Sequence, residues 1–389
     1  FPARARRGFS LPQAFEHGVV AGFLGYDLGV HLEKLPAPAQ PVLEHPDFWL
    51  GFYDVAIHFD LFEGSASLVS SGRNAGGPSS RDRALFRRDQ FLDELESEPL
   101  HFPARSEPLS QWNPLVSKEE YFHQFGRIRE YLRSGDIYQA NLTHPFLSTS
   151  LPASPAEMYE ALRQFNPAPY AAYLDGGDFQ LLSSSPEEFL KFEGRGVRTR
   201  PIKGTCARLG RGVEDWECAR ALLEDPKNRA ELLMITDLLR NDLGRLAVPG
   251  SVCVPELVRC EEYAEVYHLV STITAELPRA AEPWEALRAC FPGGSITGAP
   301  KLRAQQIIRE CERYARGAYT GSIGYFAGGA GHWSIAIRTM LCAEGAATFS
   351  VGGAITADST PESEYEETWD KASALLKVSG RSVAAEAIP

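Results

Sequence analysis

A chain of 389 residues with 44% hydrophobic and 23% charged side chains has ordinary globular composition, which excludes disordered, collagen-like and disulfide-scaffold proteins. Its net charge of −12 argues against a general nucleic-acid or anionic-membrane surface, while leaving room for a local anion pocket. No apolar run approaches the ~20 residues of a membrane span. The seven cysteines (206, 218, 253, 260, 290, 311 and 342) include no C-x-x-C pair. Buried reduced thiols in a cytoplasmic protein are therefore expected, rather than a zinc site or a secreted framework. No secretory signal pattern follows Phe1, and Arg4, Arg6 and Arg7 make too short a stretch to read as a targeting arm.

In chain order, Pro36, Pro38, Pro41 and Pro46 mark a loop, and Ser71 to Pro78 a glycine-rich tip. Pro99, Pro103, Pro108 and Pro114 mark a connector. It is the expected boundary between an N-terminal region (1–110) and a catalytic region (111–380), with a tail at 381–389. Ser117-Lys-Glu-Glu120 has capping-box spacing, the apolar residues 121, 122, 125, 128, 131 and 132 follow with helical period, and Gly135 sits at a C-cap. Residues 178–202 read as a strand pair turning at Glu193 to Gly196, and a helix covers about 226–240. Pro300 opens a helix to about 315, 318–357 reads as a β-meander, and a last helix runs from about 361 to 378. Strands and helices do not alternate, which predicts α+β with largely antiparallel sheets.

Five segments place ionisable groups beside glycine or proline. In Ser185-Pro-Glu187 a carboxyl after a proline turn serves as a general acid if burial raises its pKa; a solvated strand-end glutamate fits the same residues. In Arg200-Pro-Ile-Lys203-Gly-Thr205 the lysine is nucleophilic only when neutral, which needs burial or a neighbouring cation. Arg198 and Arg200 are the candidate neighbours, and a surface lysine beside a turn glycine is the plain alternative. Asn228-Arg-Ala-Glu231 places Glu231 where it can face a cleft, whereas Asp237, Arg240 and Asp242 suit a salt-bridge network. Glu364, Glu367 and Lys371 share a helix face. Two carboxylates so placed repel unless a cation sits between them, and an oxygen-only set suits Mg²⁺ better than zinc; a Glu367–Lys371 helix pair also fits. Phe291 to Lys301 spaces its glycines like a phosphate loop, but Ala299 and Pro300 break the ending. What remains is either an anion-binding helix N-terminus or a simple tight turn.

Together and in this order, these segments resemble the chorismate-utilising enzymes, the family of component I of anthranilate synthase and of aminodeoxychorismate synthase. The likeness runs from Gly22-Phe-Leu-Gly-Tyr-Asp27 to Lys377. It is carried by Ser134 to Thr143, Ser183 to Glu187, Arg200 to Thr205, Arg229 to Arg245, His268 to Ser271 and Phe291 to Lys301, then Tyr319 to Tyr325, Ile337 to Thr339, Ala357 to Ser359 and Glu364 to Lys371. The resemblance implies an α+β, anthranilate-synthase-component-I-like fold: two packed, mainly antiparallel β-sheets flanked by helices in four layers, with the active site at the sandwich edge. It also implies that 1–110 adds strands to a shared core and that strands preceding Phe1 are missing.

By the same resemblance, Glu187 matches the general acid for the C4 hydroxyl of chorismate. Glu231, Glu364 and Glu367 match a Mg²⁺ site, with Asn228 where relatives often carry an acid. His268 and Thr297 match residues lining the ring and its carboxylate, and Tyr319 and Arg338 the clamp on the enolpyruvyl carboxylate. Gly352 and Gly353 match backbone contacts to a carboxylate, with Ala354 replacing a family glycine. Lys203 stands where anthranilate synthases generally carry alanine and aminodeoxychorismate synthases lysine. The implied reaction is amination of chorismate to 4-amino-4-deoxychorismate for p-aminobenzoate and folate synthesis, with Lys203 first attacking C2. Anthranilate formation with loss of pyruvate is the alternative, and a catalytically dead scaffold is the rival of another class. Gln139 speaks against the isochorismate and salicylate branch, where a lysine takes the matching place. No cysteine lies in a Gly-x-Cys-x-Gly elbow, so ammonia is expected from a separate glutamine amidotransferase subunit. Asn166-Pro-Ala-Pro-Tyr170 resembles one wall of a tryptophan pocket in relatives.

Overall fold

The computed structural model describes residues 14–74, 77–97, 112–151, 153–208, 210, 212–263 and 266–378. The arginines near Phe1, the first three prolines of the connector and the 381–389 tail lie outside the described residues, as do residues 75 and 76 of the glycine-rich tip. Among the described residues, no helix is long and apolar enough to cross a membrane.

Local chemistry sets the helix ends. Ser117 caps Lys118–Ser134 by accepting from Glu120 N, Gly135 ends it at φ +78°, and Tyr121, Phe125 and Ile128 form its buried face. Asp225 caps Pro226–Gly244 through Asn228 N, and Thr360 caps Pro361–Lys377 through Ser363 N; each helix carries its proline at the start. Pro300 is the cap of Lys301–Cys311 rather than its first residue, and that helix stops short of the expected 315. Extended backbone at Glu312 ends it, and the Glu312 carboxylate accepts from Thr143 N at 3.0 Å on a strand of the core.

Every strand pairing is antiparallel. One sheet runs Ile202–Ala207, Val266–Glu276, Gly196–Arg200, Glu188–Glu193, Ala330–Ile335, Ser322–Ala327, Val19–Leu24, Phe48–Tyr53, with Cys253–Glu262 also on Val266–Glu276. The second runs Gly298–Ala299, Gln139–Ser148, Ala346–Ile355, Thr339–Ala343, Phe179–Ser185, Tyr170–Asp175, with Asn113–Pro114 beside Gln139–Ser148. A layer including Phe23, Ile323, Phe179, Leu181 and Leu341 joins the sheets. Helices Pro226–Gly244 and Pro283–Cys290 pack on the outside of the first, and Lys118–Ser134, Pro155–Phe165, Lys301–Cys311 and Pro361–Lys377 on the outside of the second. This is the α/β/β/α layering expected from sequence.

The 318–357 meander is divided between the sheets: its first hairpin belongs to one and its second to the other. The chain crosses at Ala336-Ile337-Arg338, beside a second crossing at Pro186-Glu187. The two crossings are stitched together by Ile335 N to Glu187 O at 3.1 Å and Ser184 N to Arg338 O at 3.0 Å. The Ser185 hydroxyl adds a bond to Ile335 O at 2.6 Å.

The cysteines correct the expectation of uniformly buried thiols. Cys290, Cys311 and Cys342 are buried, but Cys253 is exposed and Cys206 is disulfide-paired with Cys218. Helix Val213–Glu224 folds back on strand Ile202–Ala207 and brings the two Cα atoms to 6.5 Å, inside the span of a disulfide. A spacing of 12 residues is invisible to a search for C-x-x-C motifs.

Candidate active site

Glu187 and Arg338 face the site from the two stitched crossings. Burial pushes the Glu187 carboxyl up to about 7, against a Ser295 hydrogen bond and the Lys203 charge. Its neighbour Glu188 goes the other way. Burial opposes ionisation there too, but His332 and Arg198 hydrogen bonds bring it down to about 2. Adjacent glutamates are thus pushed in opposite directions, one up and one down. Arg338 is held at φ +52°, as Thr320 is at +60°, a region that side chains other than glycine seldom adopt. Burial lowers the Arg338 pKa, its guanidinium donates to Lys371 O at 2.5 Å, and no carboxylate pairs with it among the described residues. A half-buried guanidinium in that condition is suited to an incoming carboxylate.

Lys203 lies on strand Ile202–Ala207 at a β-bulge. Lys203 pairs with Leu269 and Thr205 with His268, leaving Gly204 without a partner at φ +76°. A Cβ on Gly204 would meet the Asn228 side chain at 3.0 Å. Burial, and then Lys371, lowers the Lys203 pKa against the pull of Glu231, Glu187 and Glu367. The expected cationic neighbours are therefore corrected: Arg198 is forked onto Glu188 and Arg200 bonds Glu261, and Lys371 is the cation that Lys203 feels.

Glu364 and Glu367 are brought together on helix Pro361–Lys377. A Cβ on Gly353 would lie 2.8 Å from Glu364 Oε2, 3.8 Å from Glu367 Oε1 and 4.0 Å from Lys371 Nζ, so glycine is what admits these groups. Burial and the Glu367 charge raise the Glu364 pKa, while Ser359 donates to its Oε1 at 2.6 Å. Glu367 is lowered against its burial by Lys371, which pairs with it at 2.5 Å and donates to Gly352 O at 2.8 Å. Glu231 lies 4.0 Å from Lys227, and no three His, Cys, Asp or Glu groups among the described residues converge as a metal cluster. The expected helix pair and the expected carboxylate pair are both present.

The remaining expected residues take distinct places. The Tyr319 hydroxyl lies against Gly352, where a Cβ would meet it at 3.2 Å, and burial pushes its pKa up to about 12. Burial lowers the His268 pKa, and its Nδ1 shares a 3.0 Å hydrogen bond with the Thr205 hydroxyl. The Thr297 hydroxyl is spent on the carbonyls of Gly293 and Gly294, so its side chain shapes the loop. Asp242 is no part of this constellation: it pairs with Lys301 at 2.6 Å, and Lys301 pins the loop by donating to Cys290 O and Pro292 O. Sequence reasoning passed over Ser295 and Ser359, the hydroxyl partners of Glu187 and Glu364. Ser295 was within sight, since it stands inside the flagged glycine loop.

The fold and this constellation have known counterparts. The chorismate binding enzyme family matches residues 3–377, and the chain belongs to that family. It is 42% identical over 374 residues to aminodeoxychorismate synthase component 1 of Klebsiella aerogenes, covering 94% of this chain and 79% of that one. It is 41% identical over 369 residues to anthranilate synthase component 1 of Thermus thermophilus, covering 94% and 78%. The crystal structure of anthranilate synthase component I from Streptococcus pneumoniae superposes with a TM-score of 0.83 at 31% identity, over 92% of this chain and 80% of that one.

Proposed function

We propose that this chain converts chorismate and ammonia to 4-amino-4-deoxychorismate. The observation that carries the choice over anthranilate formation is Lys203, a half-buried amine whose pKa is lowered by desolvation, within electrostatic reach of a glutamate raised to about 7. The neutral amine attacks C2 of chorismate, the ring double bond shifts, and the C4–O bond breaks as Glu187 protonates the departing oxygen to give water. Ammonia then attacks C4, the double bond shifts back, and the C2–N bond breaks to return Lys203. The new ammonium at C4 reprotonates Glu187, so the sum is chorismate plus ammonia to aminodeoxychorismate plus water.

Arg338 and Tyr319 hold the enolpyruvyl carboxylate, which stays attached because nothing in the sequence of steps breaks the pyruvyl ether. The donor chemistry suits Mg²⁺: Glu364 and Glu367 converge at Gly353 and carry only oxygen, with Glu231 as the third candidate. When bound, the ion offsets the charge of these acids against that of the substrate's ring carboxylate. In this reading ammonia comes from a glutamine amidotransferase subunit, a proposal supported by relatives named as component 1, and the reaction runs in the cytoplasm.

The test is to incubate the protein and its Lys203→Ala variant with chorismate, Mg²⁺ and ammonium, and to separate the products by chromatography. Wild type should form aminodeoxychorismate without pyruvate, and the variant should lose it by ~10³-fold or more. Unchanged formation by Lys203→Ala would remove the covalent role, and anthranilate with pyruvate from wild type would replace the whole reading.

A further inference from the structure

Arg316 belongs to none of the segments picked out by chemistry, yet all five of its N–H groups are spent inside the protein. Nε and one Nη2 hydrogen fork onto Glu312 at 2.9 and 2.7 Å, and the other Nη2 hydrogen reaches Asn141 O at 3.0 Å. Nη1 donates to Ile296 O at 2.9 Å and to the Thr320 hydroxyl at 3.4 Å. The ring of Tyr26 lies against the guanidinium, 4.5 Å from centroid to carbon. The paired side chains are 2% and 7% exposed. Two charges so deeply buried are tolerable only when their remaining donors and lone pairs are satisfied, and here two backbone carbonyls, a backbone N–H and the Thr320 hydroxyl do so.

Those groups come from three segments that adjoin the candidate site. Ile296 sits between Ser295, the partner of Glu187, and Thr297. Thr320 follows Tyr319. Asn141 and Thr143, bonded respectively to Arg316 and Glu312, lie opposite Ala354 and Gly352 on the neighbouring strand. The glycine loop is thus held at one end by Lys301 and in its middle by Arg316. Arg316 has no donor left for a substrate.

We propose that Arg316, fixed by Glu312, is a positioning residue that sets the distance between the acid-bearing side of the site and the Tyr319–Gly352 side that receives the enolpyruvyl carboxylate. The proposal rests on the reading that these segments line the chorismate site. A lysine at 316 keeps the charge but replaces the planar five-donor fork with a point, so it cannot hold three segments at once. Misplacement of binding groups by about 1 Å is worth on the order of 10²-fold in kcat/KM.

The experiment is steady-state kinetics with chorismate and ammonium on wild type, Arg316→Lys and Glu312→Gln, at a temperature where near-UV circular dichroism shows each variant folded. Calorimetric binding of chorismate to each is measured alongside. Arg316→Lys should raise the KM and the dissociation constant for chorismate about tenfold or more, and Glu312→Gln should do the same to a lesser degree. A merely structural role would reduce the active fraction, lowering kcat at unchanged KM, and that result overturns the proposal. If Arg316→Lys does not fold, Glu312→Gln carries the same criterion. Wild type that binds no chorismate overturns the functional reading and this inference with it. Wild type that binds it, beside variants of unchanged KM, overturns the positioning role alone.

Discussion

The two halves of the site are built on different supports. Glu187 and Arg338 sit on short crossings between the sheets, where backbone bonds at 3.1 and 3.0 Å fix each crossing to the other. Glu364 and Glu367 stand on a helix, the first buried and the second about half exposed, and Glu367 meets Lys371, a flexible four-carbon stem. The first arrangement suits a proton transfer and a carboxylate clamp, which need fixed geometry and a dry setting. The second suits a cation, whose ligands must adjust to it. In the proposed reaction, rigidity would lie where bonds change and adaptability where charge is balanced.

Substitutions can break or sharpen this contrast. Glu187→Gln keeps the shape and removes the proton, so kcat should fall by ~10²–10⁴-fold. With Glu187 at about 7, wild-type kcat should decline along its alkaline limb as pH rises through that value, and the variant should lack that limb. A carboxyl raised in the folded state binds its proton more tightly there, so wild type loses stability as pH rises from the ordinary carboxyl range to about 7. By that linkage Glu187→Gln should be the more stable protein at pH 8, by on the order of 3 kcal/mol in denaturant melts. A pH-independent difference between them would show that Glu187 is charged and solvated.

Next in size is Glu188→Gln, which removes the buried charge that the partly exposed Arg198 and His332 share and should destabilise by about 1–3 kcal/mol in urea unfolding. The wild-type contribution of Glu188, a depressed carboxyl, is present above the unfolded carboxyl pKa and is lost as pH falls toward 2. On the helix side, Glu364→Gln should weaken Mg²⁺ about tenfold or more by calorimetry while leaving the melting temperature near that of wild type. Equal Mg²⁺ affinity would move the cation elsewhere. The smallest effect belongs to Cys218→Ser, which unties helix Val213–Glu224 from the Lys203 strand. Thermal melts should move by a few degrees, with kcat within about twofold of wild type.

Much of this was legible in the residues. Ser117, Gly135 and Asp225 announce helix ends through local bonds, and Glu187, Lys203 and Glu364 announce themselves through neighbours in sequence. The capping box Ser154-Pro-Ala-Glu157 was equally readable and was passed over, and helix Pro155–Phe165 with it. Other features belong to no local pattern. The 318–357 hairpins have the same strand period whichever sheet they join, so their division could not be read. Strand Val266–Glu276, buried along most of its length, lacks the alternation of a half-exposed strand. Arg198 and Arg200 look like neighbours of Lys203 in sequence, but pleating and the bulge send them to Glu188 and Glu261. Glu312 and Arg316 show a helix-like spacing of four in a segment that is not helical, and their bonds reach across as many as 175 residues.

The unpartnered Gly204 carries one more consequence. In an unbroken strand Lys203 and Thr205 would share a face, so a nucleophile there would sit on the same side as the hydroxyl that bonds His268. One extra residue resets the count, and everything after it keeps register with the partner strand while the lysine looks elsewhere. The face on which the side chain of residue 203 stands is therefore tied to the extra residue at 204. A lysine transplanted into a related strand without the phase slip would arrive facing the wrong room, and a deletion of Gly204 would turn the amine away without touching it.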